Sequence, residues 1–266
     1  MLDSALTGDL AEELYRARAE VRTVTQLSRR YPAMDIDDAY SVQRSLVSLM
    51  VADGRQVVGR KVGLTSKVMQ RAMGIDEPDY GVLTDDMVFA DGAEIPHGAF
   101  NYPRVELELA FVMAESLEGP GIGAVDVLDA TGYVCPAIEI LDSRVEMLDA
   151  GGHRRTIVDT IADNAADAGV VLGGQRSDPQ DIEPRRVGGE LWLNGEIEDT
   201  GLGTAVLGNP ASGVAWLANR LADYGETLES GQIVLSGSLI QSLPVAVGDH
   251  VVADFGDHGR ASCRFV

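Results

Sequence analysis

The sequence predicts an α+β protein: a mixed β-sheet rolled into a barrel-like core, with an N-terminal helical part. Two observations carry this prediction. Short β-type runs outnumber helical ones after Gln56, and they do not alternate with helices as a doubly wound fold requires. The 266 residues, 45% of them hydrophobic, suffice to bury a full core. We place a helical segment at residues 1–55 and the main domain at residues 56–266.

Two helices are predicted in the helical segment. Residues 5–31 carry apolar side chains near helical spacing, and Pro32 ends the pattern. A second helix begins at Asp35 or Asp37 and ends at Gly54. The pair is typical of a cover over a core, although a lid, an arm or an oligomer contact would show the same pattern.

The main domain reads as a series of strands with few helices. Asn194-Gly195 is a strong signal for a type I′ hairpin turn. One helix begins at its N-cap Asn209 and stops at Gly225, and a shorter one covers residues 160–168. The predicted strands are RKVGLT, MVFADGAEI, VELELAFVM, GYVCPAIEIL, GVVLGG, ELWLNGEIED, QIVLSGSL and HVVADF.

The charge balance limits the partners. The formal net charge is −21, from 42 acidic and 21 basic residues. Nucleic acid and anionic membrane both require a basic face, so we expect neither as a partner. A small anionic substrate would have to meet a locally positive feature, such as a metal ion.

The termini and cysteines favour a cytoplasmic protein. The N-terminal residues lack the basic region and apolar run of a signal peptide, and no stretch reaches the roughly 18 apolar residues of a membrane span. Cys135 and Cys263 lie in apolar surroundings, where reduced, buried thiols are expected.

The segment Val105–Val112 alternates apolar and acidic residues. Residues two apart on a strand point to the same face, so Glu106 and Glu108 project together. Two carboxylates on one face of an apolar strand repel each other unless a cation neutralises them. Alone, this spacing also fits a solvated strand face.

A third carboxylate strengthens the metal interpretation. Glu139 is the lone acid of the apolar run Cys135–Leu141, and buried carboxylates are rare unless they are paired or bound to metal. An all-carboxylate set suits a hard ion such as Mg²⁺ or Mn²⁺. Three ligands would leave positions open for substrate and water.

Acid–base chemistry has two candidates. Lys61 lies between Gly59 and Gly63 on a predicted strand, and a lysine in a closed site near a metal can act with a lowered pKa. Asp79 follows in a turn and fits either a capping role or proton exchange with Lys61. An ordinary surface lysine would show the same local sequence. The chain has no nucleophile elbow, Walker loop or zincin motif.

Seven segments, in order, resemble the hydratase and decarboxylase branch of the fumarylacetoacetate hydrolase superfamily. The resemblance runs from about Leu10 to Val266. Within this branch, the segments EPDYG and DDM-F and the closing SCRFV most resemble family members that act in homoprotocatechuate degradation. The seven segments are GRKVGLTSKVMQ, EPDYGVLTDDMVF, VELELAFVM, YVCPAIEILDSR, DTIADNAADAGVVLGG, GNPASGVAWLANRLADYG and QIVLSGS.

The resemblance implies an activity and an assembly. Members of this branch act in meta-cleavage pathways of aromatic catabolism, so residues 56–266 would form a catalytic domain. The implied reaction adds water to a small dicarboxylate, 2-oxohept-4-ene-1,7-dioate. The implied cofactor is Mg²⁺ or Mn²⁺, and the implied state is a homo-oligomer, either a decamer or another dimer-based assembly.

The resemblance also implies roles for the residues singled out above. The metal ligands would be Glu106, Glu108 and Glu139, and the acid–base groups would be Lys61 and Asp79.

Further residues are predicted to bind substrate. Ser236 and Ser238 match the segment that holds the substrate's C1 carboxylate, and Leu64 belongs to the same predicted site. A second carboxylate at C7 would need a cation, for which Arg144 and Lys67 are candidates.

Three other functions stay open. The nearest is a sibling reaction, hydration of 2-hydroxypenta-2,4-dienoate or decarboxylation of 4-oxalocrotonate. Hydrolysis of a C–C bond in a β-diketone would need a water-activating His–Glu pair, but no histidine precedes His97. A non-catalytic assembly subunit is disfavoured, because such a protein has no reason to keep three unpaired buried acids.

Overall fold

The structure is a computed structural model that describes residues 2–73 and 75–266. The helices are α1 Ser4–Ala19, α2 Leu27–Arg30, α3 Ile36–Ala52, α4 Lys67–Met73, α5 Ala124–Ala130, α6 Ile157–Ala162 and α7 Pro210–Ala222. The strands are β1 Val57–Gly63, β2 Asp79–Thr84, β3 Val88–Ala90, β4 Ala93–Ile95, β5 Arg104–Met113, β6 Thr131–Leu141, β7 Asp167–Leu172, β8 Gly188–Leu193, β9 Glu196–Leu202, β10 Ile233–Leu235, β11 Leu243–Pro244, β12 His250–Asp254 and β13 Arg260–Phe265.

The strands form two mixed sheets. The larger has the order β2-β1-β10-β5-β6-β7-β3, with β11 also paired to β5, and the smaller has the order β4-β13-β12-β8-β9. Strands β1 and β10 run parallel, whereas β5 and β6 run antiparallel. Parallel and antiparallel pairs together with helices on the core confirm the α+β class.

The predicted barrel-like closure is corrected by these sheets. A barrel requires the two edge strands of a sheet to pair with each other. The edge strands are β2 and β3 in the larger sheet and β4 and β9 in the smaller one. Within residues 2–73 and 75–266, the two edge strands of each sheet do not pair with each other. Strands β12 and β13 instead lie against β6 and β7, so the two open sheets share a core.

The first helix is shorter than predicted. Asp3 caps α1, which stops at Ala19 instead of continuing to residue 31. The chain then takes a positive φ at Val21, and Val24 forms a bridge with Val145, which follows β6. This tertiary pairing overrides the helical periodicity of residues 20–26, and the chain becomes helical again only in the short α2. The second helix is confirmed as α3.

Local capping and turn signals agree with the structure. The Asp35 side chain accepts a hydrogen bond from the N3 amide of α3, and the Asn209 side chain caps α7. Asn194 and Gly195 both have positive φ in the turn between β8 and β9, as a type I′ hairpin requires. Cys135 and Cys263 are free, buried thiols.

The helix predicted at residues 160–168 is wrong in its bounds. Helix α6 ends at Ala162, since Asn164, Ala165 and Ala166 adopt positive φ values of 53°, 53° and 59°. β7 begins directly after them, at Asp167.

One hydrophobic cluster includes both Leu10 of α1 and Phe265 of β13. The N-terminal helices therefore cover the same core that the sheets build, and the division at residues 55 and 56 stays a prediction. Among the described residues, no helix combines the length and the apolar character that crossing a membrane would require.

Candidate active site

The centre of the larger sheet brings the three predicted metal ligands together. Glu106 and Glu108 lie on β5 and Glu139 lies on β6, and the antiparallel register sets Glu106 directly opposite Glu139. Residues two apart on β5 share a face, so Glu108 joins them on the same side of the sheet. One carboxylate oxygen from each lies within 4.8 Å of the others.

These carboxylates, which we call the carboxylate trio, are buried and largely without hydrogen-bond donors. Glu108 and Glu139 have no exposed surface, and Glu106 is half-buried. The Gly237 N–H donates to Glu108 Oε2 at 2.9 Å. Glu108 Oε1 and both oxygens of Glu139 receive no hydrogen bond from any described residue.

The electrostatics of the carboxylate trio fit a divalent cation. Burial, and then repulsion from Glu139, raise the pKa of Glu106 to about 8, and the same causes raise the pKa of Glu108 well above its usual range. Buried carboxylates whose oxygens lack donors are costly to keep charged. A hard divalent ion would supply the missing charge, and three carboxylate oxygens are the donor set that such ions prefer.

Lys61 and Asp79 lie beside the carboxylate trio on neighbouring strands. In the β1–β2 pair, Gly63 is opposite Asp79. A Cβ at Gly63 would lie 2.2 Å from Asp79 Oδ1 and 3.2 Å from Lys61 Nζ, so only glycine lets these two groups approach. Lys61 Nζ also lies 3.3 Å from Glu139 Oε1, an ion pair buried at both ends.

The chain's own groups raise the pKa of Lys61, whereas the lowering expected from the sequence assumes a metal nearby. Burial alone disfavours the ammonium form, but Glu139, Asp79 and Glu106 together outweigh burial and raise the pKa of Lys61. Burial raises the pKa of Asp79 as well, although the charge of Lys61 opposes it. Lys61 is therefore held as a proton donor, and Asp79 is a stronger base than an exposed aspartate.

Asp167 is a site residue that the sequence reasoning missed. It begins β7, is fully buried, and receives no hydrogen bond at either oxygen from the described part of the chain. Burial and the charge of Glu139 raise its pKa, and Lys61 opposes them. In the sequence, Asp167 stands out only as a lone acid directly before the apolar run 168–172. An aspartate in an ordinary turn before a strand would give the same local sequence.

The predicted substrate-binding serines already serve the backbone. The Ser236 hydroxyl donates to the Leu109 carbonyl at 3.1 Å, and the Ser238 hydroxyl donates to the Leu107 carbonyl at 3.4 Å. Each hydroxyl would have to turn before it could donate to a carboxylate. Leu64 stands at the end of β1 with φ of +54°, and its carbonyl accepts from Gln70. The substrate contacts of these residues stay predictions.

The two predicted cations lie apart from the carboxylate trio. Arg144 is buried, and its Nε pairs with Asp163 Oδ1 at 2.6 Å. Lys67 is exposed and donates to Gln70. Neither contacts Glu106, Glu108 or Glu139 in the ion pairs of the described residues. Their contact with substrate stays a prediction, but the geometry gives Arg144 a different partner.

The fold and the site together define a class: an α+β protein whose larger sheet holds a buried carboxylate trio beside a lysine and an aspartate.

No protein-family model matches the chain. It is 48% identical over 258 residues to 2-oxo-hept-4-ene-1,7-dioate hydratase from Escherichia coli, covering 97% of both chains. It is 38% identical to 2-hydroxyhexa-2,4-dienoate hydratase from Comamonas testosteroni, covering 100% of this chain and 99% of that protein.

A solved structure agrees with these relatives. It is 4-oxalocrotonate decarboxylase from Pseudomonas putida G7, complexed with magnesium and adipate. The TM-score is 0.95 at 33% identity, with 100% of this chain and 99% of that chain covered. The chain thus belongs to the hydratase and decarboxylase branch of the fumarylacetoacetate hydrolase superfamily.

Proposed function

We propose that the chain is a hydro-lyase that depends on Mg²⁺ or Mn²⁺ and adds water to 2-oxohept-4-ene-1,7-dioate in meta-cleavage aromatic catabolism. The observation that carries this proposal is the unsatisfied carboxylate trio with Lys61 and Asp79 beside it. The relative at 48% identity supports the choice of substrate. The magnesium and the dicarboxylate adipate in the decarboxylase structure support a metal site with a diacid ligand.

Glu106, Glu108 and Glu139 would hold the cation. When bound, a divalent cation supplies a Lewis acid that polarises the 2-oxo group and stabilises negative charge on that oxygen. The apolar strands around the carboxylate trio exclude bulk water, which strengthens every charge interaction inside the site.

Lys61 and Asp79 would move the protons. Removal of a proton from C3 of the substrate gives a dienolate, and Asp79, with its raised pKa, is suited to accept it. Return of a proton to C5, from Lys61 or from the newly protonated Asp79, leaves a double bond between C3 and C4, conjugated with the 2-oxo group. Lys61 Nζ and Asp79 Oδ1 both lie beside the Gly63 backbone, so both can reach one bound substrate.

Water then adds to C4, and a proton goes to C3. The product is 4-hydroxy-2-oxoheptane-1,7-dioate, which contains the substrate plus one water. The protein needs no organic cofactor for these steps, since each is a proton transfer or the addition of a water molecule.

Decarboxylation of 4-oxalocrotonate is the second candidate. The TM-score of 0.95 to a decarboxylase complexed with magnesium and adipate favours it. The two reactions differ in product: the hydratase adds water and retains every carbon, whereas the decarboxylase releases CO₂.

The test is a substrate panel with Mg²⁺. The substrates compared are 2-oxohept-4-ene-1,7-dioate, 2-hydroxypenta-2,4-dienoate and 4-oxalocrotonate. For each substrate, mass spectrometry detects the hydrated product, and a parallel assay measures the CO₂ released. We expect the highest kcat/KM for the seven-carbon diacid. Rapid CO₂ release from 4-oxalocrotonate without hydration of any dienoate would replace the hydratase with the decarboxylase. Glu139→Ala is the control for metal-dependent turnover.

We also propose a homo-oligomer, a decamer or another dimer-based assembly, as the resemblance implies. Light scattering coupled to size-exclusion chromatography measures the mass directly. A mass near the 28.3 kDa of one chain would contradict this proposal.

A further inference from the structure

A seven-carbon diacid brings a second carboxylate into a site that is already acidic. Asp79 and Asp167 lie near the carboxylate trio, and Lys61 is paired with one of its members. Repulsion from these acids disfavours the far carboxylate unless a cation meets it. Arg144 is bound to Asp163, and Lys67 is exposed on α4.

Arg155 is a cation with no carboxylate partner. It lies directly before Thr156, the N-cap of α6, and is half-buried. Its Nη1 donates to Ser143 Oγ at 2.5 Å, which ties the guanidinium to the residues after β6. No ion pair among residues 2–73 and 75–266 includes Arg155.

The charge of Arg155 reaches the acid–base group. Burial lowers the pKa of Arg155, and the charge of Asp163 offsets part of that change. The positive charge of Arg155 in turn opposes the rise in the pKa of Asp79. Asp163 is itself neutralised by Arg144, and Asp159 accepts hydrogen bonds from Ser28 and Thr156. An arginine stays charged in proteins, so this guanidinium is a half-buried charge that an anion would stabilise.

A cavity opens beside Asp79 on the side of α6. Its volume is about 130 Å³. Its lining includes Pro78 and Asp79 with Ile157 and Ile161 of α6, and also two further acids, Asp76 and Glu77. Arg155 precedes Ile157 by two residues, so its backbone lies at the N-terminal end of the helix that borders this cavity. A ligand that reacts beside Asp79 could extend its remaining carbons into this cavity, at the end of α6 that Arg155 precedes.

We propose that Arg155 binds the carboxylate at the far end of the substrate and thereby sets the preference for a seven-carbon diacid over shorter monoacids. The planar guanidinium suits this role, because it can donate two parallel hydrogen bonds to one carboxylate while Ser143 holds its other edge. The inference rests on the proposed function, since it assumes that a 2-oxo acid binds at the carboxylate trio.

The experiment measures binding with ligands that cannot be hydrated. The affinities of 2-oxoheptanedioate and 2-oxoheptanoate, which differ only at the C7 carboxylate, are compared by calorimetry with Mg²⁺ present. The wild-type protein is expected to favour the diacid. In Arg155→Gln this ratio of affinities should fall by about 10- to 100-fold, the factor for a hydrogen bond between charged groups.

The matched control is Arg154→Gln, which removes the same charge from an exposed neighbour in the same loop and should leave the ratio at its wild-type value. Arg155→Lys keeps the charge but loses the planar fork, so an intermediate ratio is expected, and it replaces Arg155→Gln if that variant does not fold.

An unchanged ratio in Arg155→Gln, or a wild-type protein that does not distinguish the two acids, would overturn the inference. A role in folding alone would weaken both ligands equally and leave the ratio unchanged. If the wild-type protein shows the ratio but hydrates no dienoate, the proposed function fails and the assignment of Arg155 as an anion-binding residue survives.

Discussion

Two clusters of buried charge lie near the C-terminal end of β6, and they differ in how their charge is compensated. Past the end of the strand, Arg144 and Asp163 form an internal ion pair at 2.6 Å. The Arg144 guanidinium also donates to the carbonyls of Asp142, Asp163 and Asp167, and no buried side-chain atom of the pair lacks a partner among the described residues. Within the strand, Glu139 belongs to the carboxylate trio, whose oxygens mostly lack donors.

The comparison separates structural charge from functional charge. A buried ion pair with complete hydrogen bonding is neutral by itself and needs nothing from outside. When ionised, the three clustered carboxylates beside one lysine carry an excess of negative charge that no other cation of the described residues neutralises by an ion pair. Such a site is complete only with a ligand, so the two clusters should respond in opposite ways to the loss of one charge.

The largest expected effect is on the metal site. Chelation should abolish activity and Mg²⁺ or Mn²⁺ should restore it, whereas Glu108→Gln should not be rescued, because an anionic ligand is lost. Without metal, the free energy of unfolding of Glu108→Gln should equal or exceed that of the wild type, since a repelled charge is removed. Denaturant unfolding in a chelator measures this.

The control for that prediction is Glu198→Gln, which neutralises an exposed acid on β9 and should keep metal-dependent activity. Full activity of the wild type in excess chelator would contradict the metal assignment.

The next effect concerns proton transfer. Lys61→Ala should lower kcat by about 10²- to 10⁴-fold, the usual scale for a lost acid–base group. Mg²⁺ affinity should not weaken, because Lys61 donates no ligand atom. Lys61→Arg keeps the positive charge but cannot release a proton at neutral pH, so it should stay slow. Recovery of kcat in Lys61→Arg would show that only the charge matters.

Breaking the internal ion pair should act on stability instead. Arg144→Met leaves Asp163 buried and uncompensated, so the free energy of unfolding should fall by about 3–5 kcal/mol. The Arg144→Met, Asp163→Leu double variant should recover much of that loss. Mg²⁺ binding per folded molecule should persist in both, and its loss would mean that Arg144 belongs to the site.

The smallest effect tests the spacing of Lys61 and Asp79. In Gly63→Ala the new Cβ would meet Asp79 Oδ1 at 2.2 Å, so the carboxylate must move away. A misplacement of this size costs about 10²-fold in kcat. Gly8→Ala is the matched control, because no atom lies within 4 Å of its added Cβ in α1. Equal turnover in both variants would show that the Lys61–Asp79 distance does not matter.

The sequence by itself determined the features that depend on neighbouring residues. Alternation along β5 places Glu106 and Glu108 on one face, because successive strand residues point to opposite sides. The cap at Asn209 and the hairpin at Asn194-Gly195 follow from side-chain and backbone preferences within a few residues.

Only the tertiary structure decided what pairs across the chain. The register of β5 with β6 sets Glu139 opposite Glu106, and the position of β1 brings Lys61 to them. The same kind of contact ends α1 early and leaves both sheets open. It also gives Arg144 its internal partner and leaves Arg155 without one. Local periodicity carries no information on these contacts, because they join residues far apart in sequence and depend on how the whole core packs.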